Sequence, residues 1–392
     1  MSAIKYWVWL SSLSEVSALS KARLLARYGD AETLFFLPRG ELRQMAGISS
    51  AEAEELERHD LAAADRILGE CDRQGLQVLT LQDAAYPRRL QYISAPPAVL
   101  YVKGRLPAVD DEAAIAVVGT RRATPYGMKM GRDIAFEIVS CGGVVISGLT
   151  AGIDAMAAQG ALQAGGCCIG VLGTPHEQAT GELAADVAAR GALVSEYPPG
   201  APSHRHYFRE RNRIASGLSV GVVVVEAPER SGARLFANEA NEQGRMIFAV
   251  PGNADAPNSV GTLAMMQEGA KPVACGWDVM TEFEAMFPNR VHRKTDVRAP
   301  SVTEPVPQPT KKDIDSGKAK GYIDLRQQLS GLSEDQLKII AAIDKSASHI
   351  DDIIEATGLG TAKVLAQLTV LEIKGFIRRE AGRRVSLNTA KK

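Results

Sequence analysis

Between residues 70 and 288 the chain alternates short, nearly continuous apolar segments with longer helical ones, and this pattern restricts the fold more than any other feature. The apolar segments are LQVLTL, AIAVVG, GVVISG, CCIGVLG, ALVSE, SVGVVVVEA, MIFAVPG and KPVA. Between them lie PYGMKMGRDIAFEIVS, AGIDAMAAQGALQAG, ELAADVAARG, ARLFANEANEQG and GTLAMMQEGA, which read as helices. Strands without polar alternation suit a parallel sheet buried on both faces. Strand and helix in turn predict a doubly wound, mainly parallel, Rossmann-like α/β domain over 70–288.

The flanks read differently. Residues 1–68 are helical: Leu10, Leu13, Val16 and Leu19 recur every three residues, ALSKARLLARYGD ends on a Gly-Asp stop, and Gly47 precedes a Ser49-Ser50 cap. This suits a helix-hairpin-helix or SAM-like module, or a plain small bundle. Residues 289–330 include APSVTEPVPQPTKKDIDSGKAKG and read as a flexible linker. Over 331–388, SEDQLKIIAAI, HIDDIIEAT and TAKVLAQLTVLEIKGF give three helices, and IRREAGRRVSLN alternates like a hairpin. Three helices and a hairpin with a basic turn (Arg378, Arg379, Arg383, Arg384) make a winged helix, whose wing can meet phosphates or a protein.

Composition sets limits on partners. The 45 Lys+Arg and 46 Asp+Glu leave a formal net charge of −1. A uniformly basic coat for a polyanion is excluded, so any such binding must be local. Aromatics are 5% of the chain, too few for a surface of many stacked bases. Five irregularly spaced cysteines (Cys71, Cys141, Cys167, Cys168, Cys275) give neither a disulfide framework nor a zinc pattern. The opening MSAIKYWVWLSSLSE is too short in apolar residues for a signal core or a membrane span. The expectation is a soluble, reduced, cytoplasmic protein with no membrane attachment.

In a doubly wound sheet, ligands bind beyond the carboxyl ends of the strands. After AIAVV come Gly119, Thr120 and Arg121, then a helix opening at Tyr126-Gly127. The glycine admits close approach, the threonine offers a hydroxyl and the arginine a forked cation. After GVVI come Ser147 and Gly148, opening a second Gly-rich loop that reaches Gly152 and Asp154. Together the two loops read as an anion site. Neither is G-x-G-x-x-G and no P-loop motif occurs, which argues against a dinucleotide enzyme and a P-loop NTPase.

HRHYFRERNRIASGL, 204–218, is the strongest local signal. Four arginines and one glutamate between His204 and Arg213 enclose Tyr207 and Phe208. Arginines for phosphates beside a ring for a base are what holds single-stranded nucleic acid. The His204-x-His206 pair has no carboxylate or cysteine cluster beside it, so no metal site is assigned. Glu226 ends a strand and reads as a partner for one of these arginines rather than as a catalytic acid. No acid/base couple or nucleophile can be named.

The runs VVGTRRATPYG, ISGLTAGIDAMAAQGAL, ALVSEYPPG, FRERNRIASGLSVGVVVVEAPERSG, EQGRMIFAVPG and EGA, in this order, resemble the DNA processing protein A family (DprA, also called Smf). The resemblance implies a non-enzymatic single-stranded-DNA-binding protein of natural transformation and recombination. Such a protein protects incoming strands, helps load the RecA recombinase, works as a homodimer and needs no cofactor. It carries the G-[ST]-R loop onto Gly119, Thr120 and Arg121, the basic position before the aromatic onto Arg205, and the aromatic onto Phe208. Arg211 and Arg213 around Asn212 supply the arginine pair. Ala158 stands where the family has a histidine, TPHEQATGEL replaces a Tyr-Pro loop, SGARLF replaces a serine-rich turn, and Leu263 replaces an asparagine, so a small-ligand pocket is less expected than strand binding. Two other readings remain: a Rossmann-like enzyme on nucleotide phosphates, which lacks its expected P-G-G-x-G-T-x-x-E run here, and a duplex-DNA regulator acting through the winged helix.

Overall fold

The computed structural model describes residues 3–45, 47–294, 334–343, 348–373, 376–380 and 384–387. The chain forms two compact units, 1–302 and 303–392.

In the first unit, five helices come before the sheet: α1 (Ile4–Ser12), α2 (Ala18–Tyr28), α3 (Ala31–Phe35), α4 (Ser50–Leu56) and α5 (Ala62–Gln74). Gly29, at φ +89°, closes α2, and Asp30 caps α3. Ser49 and Glu52 cap α4 reciprocally. The three-residue leucine spacing does not continue one helix: α1 stops at Ser12, and Leu19 is 42% exposed.

The sheet strands are β1 (Gln77–Thr80), β2 (Val99–Gly104), β3 (Ala114–Val118), β4 (Val144–Ser147), β5 (Cys168–Leu172), β6 (Ala192–Ser195), β7 (Gly221–Val224), β8 (Met246–Ala249) and β9 (Lys271–Pro272). Their order is β1-β2-β6-β5-β4-β3-β7-β8-β9. All pairs are parallel from β6 to β9 through the centre, while β2 pairs antiparallel with both β1 and β6. All eight anticipated strands form. β2 is an addition, because a run that follows two prolines reads poorly as a strand. The helices are α6 (Arg88–Gln91), α7 (Pro125–Ser140), α8 (Ile153–Gln163), α9 (Glu182–Arg190), α10 (Tyr207–Glu210), α11 (Asn212–Leu218), α12 (Gly232–Glu242), α13 (Val260–Gln267) and α14 (Gly276–Met280).

Both faces of the sheet are buried, as the unbroken apolar strands require. Ala116, Val118, Ile146 and Val224 pack with Ile214, Leu218 and Phe236 on one face. Ile115, Val117, Val145 and Val223 pack with Ile134, Ile138 and Ala157 on the other. Trp7, Trp9, Leu24 and Leu56 of the helical segment share a core with Val99 and Tyr101 of β2. The chain runs outward from β3 to β6 and then returns to place β7 against β3 with Ile115 opposite Gly221. The reversal point lies between β3 and β7, and the crevice beyond their carboxyl ends is where such folds bind ligands.

The second unit is a winged helix. Helices Glu334–Ala341, Ile350–Thr357 and Thr361–Ile373 are followed by strands Ile377–Glu380 and Arg384–Leu387, which pair antiparallel, with the short strand Ser348–His349 on the other side of Arg384–Leu387. Ile339, Ile353, Leu368, Leu371 and Val385 form its core. Arg378 and Arg384 are exposed in the wing strands, and Arg379 lies in the first of them. Arg383 lies outside the described residues, as does the linker beyond residue 294. Among the described residues no helix is long and apolar enough to cross a membrane.

Candidate nucleic-acid interface

A cleft of about 500 Å³ opens at the β3–β7 reversal point. Its lining comes from four segments distant in sequence: the loop after β3, the loop after β4 leading into α8, the segment entering α10 and α11, and the loop between β7 and α12.

The loop after β3 is fixed before any ligand arrives. The Thr120 N–H donates to the Glu226 carbonyl at 2.8 Å, and the Ile153 N–H to the Thr120 carbonyl at 3.3 Å. A Cβ on Gly119 would lie 2.5 Å from the Ile153 side chain and 3.0 Å from the Glu226 carbonyl. The glycine therefore permits close packing against α8 and the segment after β7, and its backbone also lines the cleft. Arg121 and Arg122 emerge from this braced turn exposed to solvent.

The loop after β4 begins buried and surfaces at Thr150 and Ala151. Ser147, 1% exposed, donates through Oγ to the Asp154 carbonyl at 2.8 Å and accepts from the Leu149 N–H at 3.1 Å. It staples the turn and is not at the cleft surface. Gly148 makes room for a neighbour, since a Cβ there would stand 2.0 Å from Nη1 of Arg211. Its missing side chain is the space that the guanidinium fills. A second hollow, about 520 Å³, lies on the far side of Arg121 and Phe208, floored by Leu149, Leu172 and Leu183.

The basic segment divides its aromatics. Tyr207 is buried and stacks on Tyr197 with centroids 3.8 Å apart. Phe208 is half-buried in the cleft wall, backed by Gly173, and the Arg121 guanidinium sits 5.2 Å above its ring. Arg205, Phe208, Arg209 and Asn212 all reach the cleft. Arg205 and Arg209 are exposed, as is Arg230 from the β7–α12 loop. Among the described residues none of Arg121, Arg122, Arg205, Arg209 and Arg230 forms an ion pair.

Arg211 and Arg213 behave differently from the exposed five and from each other. Arg211 lines the cleft floor at 4% exposure, and its Nε has no hydrogen-bond partner among the described residues. Burial disfavours its charge, and Asp154 offsets this only in part. Asp154 is itself buried, accepts from Thr150 Oγ1 at 2.9 Å, and has its carboxyl pushed up by desolvation against the pull of Arg211. Arg213 does not join Arg211 at the cleft, contrary to the sequence expectation. Its guanidinium is instead in the core, paired with Glu196 and donating to the Ala95 carbonyl at 2.6 Å. Two residues apart on a helical segment is about 200°, so the two arginines face opposite ways.

Among the described residues Glu226 takes no arginine. It accepts hydrogen bonds from the N–H and hydroxyl of Thr124 and from Nδ2 of Asn258, and occupies the space that a Cβ on Gly127 would need. It is a brace at the head of α7, where helix N–H groups favour an anion. Ala158 is fully buried in the core and Leu263 half-buried; neither lines the cleft.

Sequence reading missed Arg122, Arg209 and Arg230. Arg205, Phe208, Arg209 and Asn212 follow i, i+3, i+4, i+7 spacing, a single helical stripe that would have identified Arg209. Arg230 carried no local signal, because only the tertiary fold brings it to the cleft.

A family model described as DNA recombination-mediator protein A matches residues 77–284, and one described as the DprA winged helix domain matches 324–383. Protein Smf of Synechocystis is 31% identical over 389 residues, 97% of each chain. DNA processing protein DprA of Bacillus subtilis is 38% identical over 223 residues, 55% of this chain and 74% of that one. The X-ray structure of DNA processing protein A from Streptococcus pneumoniae superposes with a TM-score of 0.63 at 31% identity, covering 71% of this chain and 98% of that one.

Proposed function

The chain belongs to the DNA recombination-mediator protein A family of DNA-processing proteins, and on that premise we propose that it binds single-stranded DNA in the arginine-lined cleft, protects the strand and helps load the RecA recombinase, acting as a cytoplasmic homodimer. The observation that carries this reading is the ring of five exposed guanidinium groups without carboxylate partners around Phe208. Unpaired arginines gathered in one concave site on a chain of net charge −1 favour a polyanion locally. The cleft volume of about 500 Å³ suits a few nucleotides of a single strand rather than a duplex. Arg121, Arg205 and Arg209 meet phosphates, and the ring of Phe208 meets a base. Arg211 and Asn212 lie deeper in the cleft. Gly119, Thr120, Ser147 and Gly148 shape the loops, and Arg213 anchors α11 from behind. No cofactor enters this scheme, and no catalytic role is assigned. Asp154, the cleft's one carboxylate, lies at its floor already bonded to Thr150.

Fluorescence anisotropy with labelled oligo-dT and with a duplex of equal length tests the reading. The full chain should prefer the single strand. Replacing the exposed Arg121 and Arg209 together by Ala should weaken single-strand binding at least tenfold with unchanged melting temperature. Equal affinity of the double variant and the native chain would remove the cleft from the binding site. Duplex preference would hand the function to the winged helix.

A further inference from the structure

The cleft lining carries six arginines and one carboxylate, that of Asp154. A carboxylate that is only 5% exposed is costly to bury and works against the charge of the site around it. Its position is specific. Asp154 stands in the first turn of α8, an 11-residue helix, and lines the cleft, where Thr150 Oγ1 donates to its Oδ2 at 2.9 Å. Ser147 Oγ holds its backbone carbonyl at 2.8 Å, so the whole residue is fixed. The head of a helix beside a buried arginine is the place in such a fold best suited to a phosphate. Here the protein's own carboxylate holds that position.

The neighbouring Arg211 gives the second observation. It is 4% exposed, it lines the cleft, and its Nε has no hydrogen-bond partner among the described residues. A buried cation with no counter-charge would be strongly destabilising. Asp154, which lines the same cleft, is the carboxylate in reach of it, but the two side chains form no ion pair within 4 Å, and a donor of Arg211 is left unused.

We infer that Asp154 is a placeholder anion: it neutralises Arg211 in the empty cleft, competes with an arriving strand phosphate for it, and holds the affinity of the cleft below what its arginines alone would give. This deepens the proposed single-strand site and rests on that reading. The consequence is release. A phosphate that reaches Arg211 always has a carboxylate beside it, so a bound strand leaves faster than from an all-cationic cleft. That suits a protein that passes its strand on.

The test compares the full-length native chain with Asp154→Asn, which keeps the shape and removes the charge, and with Asp154→Ser, whose hydroxyl still suits the first turn of a helix. Labelled oligo-dT is the probe, in anisotropy for affinity and stopped flow for dissociation at moderate salt. Both variants should bind about fivefold more tightly than the native chain, the size expected for one charge removed near a phosphate at high effective dielectric. The gain should appear in slower dissociation and shrink as salt is raised. Unchanged or weaker binding by either variant that melts like the native chain overturns the inference. So does loss of folded protein in both, since the carboxylate would then be a requirement of the fold rather than a setting of affinity. Failure of the native chain itself to bind oligo-dT would overturn the single-strand reading instead.

Discussion

Replacing Gly148 by alanine separates the charge of the cleft from its shape with a single methyl group. The backbone at Gly148 is not in the left-handed region, so alanine adds no strain there. A Cβ would lie 2.0 Å from Nη1, 2.4 Å from Nη2 and 2.5 Å from Cζ of Arg211, and these three atoms are its nearest neighbours. All belong to the far end of one flexible side chain, so the fold can absorb the methyl by swinging the guanidinium aside. Arg211 then leaves the cleft floor. A hydrogen bond to a charged group contributes about 1.5–3 kcal/mol, so single-strand affinity should fall roughly tenfold to a hundredfold. Moving the guanidinium toward solvent relieves its own burial but takes the opposing charge away from buried Asp154, so the melting temperature should fall by several degrees while the fold persists. Anisotropy with labelled oligo-dT, beside a thermal melt on the same sample, measures both. Native affinity in Gly148→Ala would show that Arg211 does not meet the strand, and a collapse in melting temperature would show that the loop cannot move the guanidinium aside.

Two further outcomes follow from the charges. If five exposed arginines and Arg211 each met one phosphate, the slope of log affinity against log salt would reach about −4, at about −0.7 per contact on a single strand; the Arg121→Ala, Arg209→Ala double variant should lower its magnitude by about 1.4, and an equal slope in both proteins would exclude those two residues as phosphate contacts. Lys21 lies on the wall of a separate hollow of about 890 Å³ between α2, α5 and the loop after β6, where desolvation brings its amine down to about 8 from the usual 10.5 even with Glu196 and Glu55 pulling it up. The unfolded chain therefore holds more protons between pH 8 and about 10.5 and stability rises with pH across that window, so Lys21→Met should melt higher than the native chain at pH 7, with the gap closing toward pH 10; a gap that does not change with pH would contradict the lowered amine.

Much of the architecture could be read before the structure because its signals are local. Uninterrupted valine and isoleucine runs mark strands buried on both faces, and glycines after them mark the loops that cross the sheet edge. The seven strands from β3 to β9 and the winged helix follow from such runs. β2 was not legible, because its antiparallel place between β1 and β6 depends on pairing across the chain and not on its own pattern. In the site, Arg121, Arg205 and Phe208 lie at the cleft as charge and spacing indicated. Arg213 does not, because a basic run states how many cations are present and not which way each one turns. Charge alone gives Glu226 an arginine partner, yet the hydrogen-bonding groups of Thr124 and Asn258 reach it in the fold.

The sequence by itself therefore determined a parallel sheet with Gly-rich loops at its carboxyl edge and a basic, aromatic segment beside them. Only the tertiary structure decided which cations share the cleft. It turned Arg213 into the core, brought Arg230 from a distant loop, and set the carboxylate of Asp154 in the same cleft as Arg211. The physical reason is range. Periodicity and turn chemistry act over a few residues and are written in the chain, whereas a guanidinium's direction depends on space left by residues far away, as the missing side chain of Gly148 leaves room for Arg211.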